Sequence, residues 1–181
     1  MSVLREITYE RHMAVENLPF TQYLLGGTIT KPDYVVYLAE MLAIYRHLEQ
    51  LAIEAGLFDG MLDLPRALSM QEDLDELAPG YQTNILPSTQ TYLNHLDQVA
   101  QSEHSKQLFA HVYVRHMGDL YGGKLIARGV PGTGRWYQFE NRSELVKAFN
   151  ERITVDLADE AQIAFDHYKN IFQELWTRIH N

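Results

Sequence analysis

Apolar residues recur along this chain at intervals of about 3.6, and no stretch alternates polar with apolar as a strand would. The pattern predicts a first helix from about Leu4 to Asn17, broken by Pro19. Thr30-Lys31-Pro32-Asp33 has the form of a capping box with proline in the first turn. It opens a long helix to about Ala55, ended by Gly56, whose stripe Tyr34, Leu38, Met41, Leu42, Tyr45 and Leu48 is assigned to the core. An acidic segment from Pro65 to Leu77 precedes a loop at Ala78-Pro79-Gly80. Pro87-Ser88 starts a helix to about Ala100. A further helix from about Glu103 to Arg128 carries three glycines. Val130-Pro131-Gly132-Thr133-Gly134 is the strongest loop signal. Asn141 or Ser143 can cap a short helix to Arg152, and Thr154 to Asp156 the last one, to about Ile179. The expectation is an all-α bundle of roughly eight helices, a single domain over residues 1–181.

Composition narrows the picture. A net charge of −9 and the lack of a basic stripe argue against nucleic acid as a partner. The chain has no cysteine, which removes disulfides, thiolate metal ligands, iron–sulfur clusters and a cysteine nucleophile. Met1-Ser2-Val3-Leu4-Arg5-Glu6 has no apolar signal region. No apolar run reaches the roughly 18 residues needed to span a bilayer, so a cytoplasmic protein without a membrane partner is expected.

The glycines add a second signal. Glycine costs a helix interior about 1 kcal/mol relative to alanine, yet Gly118, Gly122 and Gly123 fall within six positions, with Asp119 among them. Either the helix crosses or ends tightly there, or its backbone must approach something flat. His12 has Glu16 four residues on, one helical turn away. That pair is either an ordinary surface contact or a carboxylate that accepts Nδ1–H and leaves Nε2 for a metal. A histidine ligand on one helix and a side-chain-free face on another together suit heme. Asp119 could order water there, supported by Arg115 one turn earlier. Other chemistries lack their signatures: no Glu-x-x-His pair for a di-iron bundle, no HExxH, no GxSxG and no phosphate-binding loop.

At these residues the chain resembles the heme oxygenases, over almost its whole length. Glu10-Arg11-His12-Met13-Ala14-Val15-Glu16-Asn17 is similar to the family's proximal helix. Phe20, Gly27, Thr30, Tyr45 and Glu49 continue in register. Tyr113-Val114-Arg115-His116-Met117-Gly118-Asp119-Leu120-Tyr121-Gly122-Gly123 is similar to its distal signature. Ala164-Phe165 and Ile171 to Leu175 resemble its last core helix.

The resemblance implies a heme-oxygenase-like bundle that binds heme b as substrate and cofactor. It would use O2 and electrons to open the ring to biliverdin, CO and Fe(II), by default the IXα isomer. It implies His12 as iron ligand with Glu16 behind it, and Gly118, Gly122 and Gly123 as distal backbone contacts. Asp119 would organise distal water and direct oxygen to the ring. Arg115 and Tyr113 would line the distal and propionate side, Arg5 and Lys147 would supply basic contacts, and Phe165 would wall the distal pocket. Ferredoxin is the implied electron donor, with Arg5, Arg128, Arg135, Arg142 and Lys147 as candidate docking cations and a bilin reductase as a possible consumer. Tyr121, Lys124 and Tyr168 depart from the family pattern and leave the water network and regiochemistry open. The competing reading is a heme- or bilin-binding protein without ring opening. A thiaminase-like hydrolase on a related fold is disfavoured by the missing cysteine.

The remaining residues read as structural. His116 is expected to be a packed or exposed histidine rather than one facing heme, and His47, His95, His104, His111, His167 and His180 to sit on helical surfaces without a partner pattern. Asp73 to Glu76 reads as a solvated acidic face, and Trp136 and Tyr137 as anchors of the glycine loop.

Overall fold

The computed structural model describes residues 3–82 and 84–181. Met1 and Ser2, part of the N-terminal reading, lie outside the described residues. Every regular element among the described residues is helical.

The first expected helix is two: α1 (Val3–Ile7) and α2 (Tyr9–Glu16). They meet at Thr8, where the backbone opens to φ −92° and ψ 3° while the Thr8 N–H and Oγ1 both donate to the Leu4 carbonyl, at 2.9 and 2.7 Å. Pro19 does not simply break the chain. It takes the first position of α3 (Pro19–Leu25), where proline's missing N–H costs nothing. α4 (Lys31–Glu54) starts where its cap predicted, with the Thr30 hydroxyl accepting from the Asp33 N–H. All six residues of the α4 stripe are buried. α5 (Ala67–Leu77) and α6 (Pro87–Gln101) come next along the chain.

The glycine-bearing helix is not continuous. It runs as α7 (Leu108–Val112), a π-helical turn at Tyr113–Met117, and α8 (Gly118–Ile126). A π turn widens the helix by one residue and shifts the register of the helix beyond it. α9 (Arg142–Asn150) and α10 (Ala158–His180) complete the chain. α10 packs on both α2 and the π turn, and α3 packs on both α2 and α8. Gly27 and Gly129 tie α3 to the end of α8. A Cβ on Gly129 would lie 2.5 Å from the Gly27 Cα, so side chains there would force the two segments apart. No helix is long and apolar enough to cross a membrane among the described residues.

Candidate active site

Asp119 sits in the first turn of α8, directly after the π turn, and is buried. Its Oδ2 accepts from the Tyr45 hydroxyl at 2.7 Å and from the Trp136 indole N–H at 3.0 Å. Oδ1 accepts no hydrogen bond from the described residues. Burial raises the carboxyl from 3.8 to about 6, against the opposing pull of His116, of both hydrogen bonds and of Arg115. The acid is thus fixed by one oxygen and poised close to neutrality.

Trp136 is more than a loop anchor, and no motif identified it. Its backbone is set by the acidic run that the sequence suggested was solvated. Asp73 is 1% exposed and accepts from the N–H groups of Arg135 and Trp136, each at 2.9 Å. Glu76 accepts from the Thr133 N–H at 3.0 Å and its hydroxyl at 2.7 Å, and from the Arg135 guanidinium. These carboxylates stay buried or partnered because the loop delivers donors to them. The clamp carries the indole of Trp136 to Asp119 from the far side of the glycine loop. Trp136→Phe keeps the ring and removes the donor. It should raise the Asp119 pKa by about one unit; a carboxyl titration followed by NMR that stays where it is in the native chain would show that the indole N–H is irrelevant.

The glycines divide by environment. Apart from its own stretch of helix, a Cβ on Gly118 or Gly122 would meet no atom of the described residues within 4 Å, whereas one on Gly123 would meet the Tyr137 ring at 3.1 Å. Gly123 therefore lets the Tyr137 ring pack on α8 and does not present bare backbone to a ligand, a correction to its expected role. Gly118 and Gly122 share a helical face with Tyr121 and Leu125, which are 61% and 56% exposed. The result is an open stripe of bare backbone and apolar side chains, bordered by Asp119.

Arg115 departs from expectation. It is 2% exposed, and the hydrogen-bond partners of Asp119 are Tyr45 and Trp136 rather than Arg115. Its Cζ lies 4.0 Å from the Tyr168 ring centroid and 5.2 Å from that of Tyr92, and Nη1 reaches the Met41 sulfur at 3.6 Å. The π turn separates its direction from that of Asp119, so the one-turn spacing of a plain helix fails. A buried guanidinium at this place cannot serve as a surface propionate contact. Nε and Nη2 have no hydrogen-bond partner among the described residues. Tyr168 packs inward beneath it, its hydroxyl pushed up to about 12 by burial against the pull of Arg115. Tyr113 is buried in the π turn. His116 takes the packed alternative: it is buried, with Nε2 2.9 Å from Glu49, which also accepts from the Arg66 and Ala67 N–H groups.

His12 has a half-exposed side chain, and its ring meets that of Phe165 edge-on at 5.8 Å. Phe165 therefore supports His12 rather than walling the distal side. Nε2, not Nδ1, is the nitrogen nearer Glu16, at 3.7 Å. That separation is too long for a hydrogen bond, and a half-turn of this exposed ring exchanges the two nitrogens. Arg5 and Lys147 are exposed, on α1 and α9. Among the docking cations, Arg135 is bound to Asp73 and Glu76, and Arg142 reaches the Tyr121 carbonyl at 3.3 Å.

Two histidines read as unpartnered surface residues, His95 and His111, converge instead on Glu160, and a third, His167, packs beside them. The Oε1 of Glu160 is 2.6 Å from His95 Nε2 and 2.8 Å from His111 Nε2. His167 stacks on Tyr92 at 4.8 Å and lies 5.0 Å from His95. Burial disfavours the Glu160 anion, but the two imidazole contacts outweigh it and hold the carboxyl at about 2. Burial lowers His111, and burial with the neighbouring histidines pulls His167 down to about 4. No local spacing signals this cluster, since its members come from α6, α7 and α10.

Comparison with known proteins defines the class. A family model described as heme oxygenase matches residues 1–174. A heme oxygenase of Rhodella violacea is 30% identical, covering 95% of this chain and 85% of that protein. One of Porphyra purpurea is 30% identical over 95% and 84%. Heme oxygenase-1 of the cyanobacterium Synechocystis, solved in complex with heme, shares the fold with a TM-score of 0.83 at 24% identity, over 98% of this chain and 94% of that one. The chain belongs to the heme oxygenase family, whose general function is the production of biliverdin.

Proposed function

We propose that heme lies against the Gly118–Gly122 face of α8 with His12 as its iron ligand, and that Asp119 directs its oxidation to biliverdin IXα, CO and Fe(II). The observation that carries this reading is the open glycine stripe beside an acid held by Tyr45 and Trp136. Bound heme supplies the iron that takes up O2 and electrons, and its own ring is what is cleaved.

The residues of the chain do the rest. His12 offers an imidazole nitrogen, and Glu16 can fix its tautomer by accepting from the other. The bare backbone at Gly118 and Gly122 admits a flat ring. Tyr45 and Trp136 occupy Oδ2 of Asp119 and leave Oδ1 to bind water and pass a proton. The unpartnered Nε and Nη2 of Arg115 offer two further donors for ordered water. Arg5 and Lys147 are proposed to meet the propionates, and Tyr113 to back the distal side. Electrons are proposed to come from reduced ferredoxin, docked on Arg128, Arg142, Arg5 and Lys147 without Arg135. The chain is taken to act as a single cytoplasmic domain whose biliverdin passes to a bilin reductase.

The test is an absorption time course with stoichiometric hemin, ferredoxin, its reductase and NADPH. Loss of the Soret band with a rising biliverdin band is expected, and chromatography reads the isomer. A stable Soret band with a competent donor would favour a binding protein without ring opening. The glycine stripe has its own test. Gly122→Leu should leave the melting temperature unchanged or higher, because the site is open and leucine favours helix by about 1 kcal/mol. Hemin affinity should nevertheless fall at least about tenfold, the equivalent of about 1.4 kcal/mol. Unchanged affinity would place heme elsewhere.

A further inference from the structure

We infer that His95, His111 and Glu160 form a second metal site, distinct from His12, for a divalent first-row transition ion. Their three ligand atoms lie within 4.8 Å of one another. Each comes from a different helix of the packed trio α6, α7 and α10, so the donors are placed by rigid elements rather than by a loop. Two imidazoles and one carboxylate make a ligand set for zinc or ferrous iron, whereas calcium and magnesium prefer oxygen alone. Ferrous iron, which the family's reaction releases, belongs to the favoured class.

The surroundings fit a metal site in three respects. First, the His111 ring is fully buried with Nδ1 2.9 Å from the Tyr92 hydroxyl, an outer partner that leaves Nε2 to face the ion. Second, the His95 side chain is 23% exposed, giving an entry path and an open position for water or exchange. Third, the Glu160 carboxylate brings one negative charge to the site, and Tyr92 lies between His111 and the Arg115 guanidinium. In a tetrahedral site with bonds of about 2.0–2.1 Å, donor atoms stand about 3.3 Å apart. The two Glu160 separations of 2.6 and 2.8 Å would open by about 0.5–0.7 Å, and the two imidazole nitrogens, within 4.8 Å of each other, would close toward the same spacing by side-chain rotation.

The experiment uses the heme-free full chain. Zn²⁺ is titrated by calorimetry and Co²⁺ by its visible absorption, in the native chain and in His95→Gln, Glu160→Gln and His12→Ala. Glu160→Gln retains an oxygen for both imidazoles, and His95 lies at the rim, so both variants should fold. One equivalent should bind the native chain and His12→Ala alike, with affinity at least about tenfold weaker in the other two. Saturating Zn²⁺ should raise the melting temperature by roughly 5–10 °C, through preferential binding to the folded state. Absence of saturable binding would leave the cluster as a hydrogen-bonded support of Glu160 and overturn the inference. Binding lost in His12→Ala but kept in His95→Gln would do the same, by placing the ion at His12.

Discussion

His12→Ala is expected to abolish the ordinary histidine-ligated Soret spectrum and to lower biliverdin formation at least about a hundredfold, a loss of roughly 2.7 kcal/mol in transition-state stabilisation. The protein itself should be almost indifferent. The His12 side chain is 51% exposed, its Glu16 contact is 3.7 Å long, and its firm neighbour is the edge of Phe165. Exposed substitutions of this kind stay within about 0.5 kcal/mol, and loss of the aromatic contact adds about 1 kcal/mol at most. The separation of the two readouts makes the test sharp. A melting temperature within a few degrees of the native protein, together with lost spectrum and turnover, identifies a ligand. Added imidazole should restore part of the spectrum. Native turnover in the variant would remove His12 from the chemistry altogether.

Asp119 should behave in the opposite manner, because its substitution changes both chemistry and stability. Asp119→Ala should still bind hemin but lose biliverdin formation by about a hundredfold or more, the scale of a positioned acid–base group. Unchanged biliverdin yield would refute the proposed role. Asp119→Asn isolates the electrostatic cost of the acid. Its amide oxygen can keep both donors, Tyr45 and Trp136, while the buried charge is gone. The folded-state pKa of Asp119 is raised, from 3.8 to about 6. Between these values the folded state holds more protons than the unfolded state, so stability falls as pH rises through that window. The accumulated cost above pH 6 is about 3 kcal/mol. The asparagine variant should therefore gain melting temperature relative to native protein between about pH 4 and 6, and keep the gain above. A parallel pair of curves across that window would mean that the carboxyl is not held near 6. A destabilising acid retained in the interior is what a site exchanging stability for function looks like.

Much of this architecture was legible along the chain, and particular residues explain why. Thr30 and Asp33 start α4 through a contact three residues long. The α4 stripe lines the core because helical periodicity alone puts Tyr34, Leu38, Met41 and Tyr45 on one side. The division of the N-terminal helix at Thr8 was less visible, since Thr8 keeps its backbone bond to Leu4 and only adds a side-chain bond to the same carbonyl. Three glycines marked α8 as unusual, but spacing could not tell Gly122, which faces open space, from Gly123, which faces Tyr137. The difference depends on where residues 134–137 return.

The sequence by itself determined the helical class, the core faces and the family resemblance, and it singled out Asp119, an acid set among glycines, because each is written in patterns within about two turns of helix. The tertiary structure alone decided what surrounds that acid. Trp136 reaches Asp119 because Asp73 and Glu76 hold the intervening loop. Arg115 turns away because a π turn shifts the register between them. His95 and His111 meet Glu160 because three helices converge. Each of these partnerships joins groups remote in sequence. Buried charge and hydrogen-bonding capacity must be satisfied by whichever elements packing brings together, and no local periodicity records that pairing.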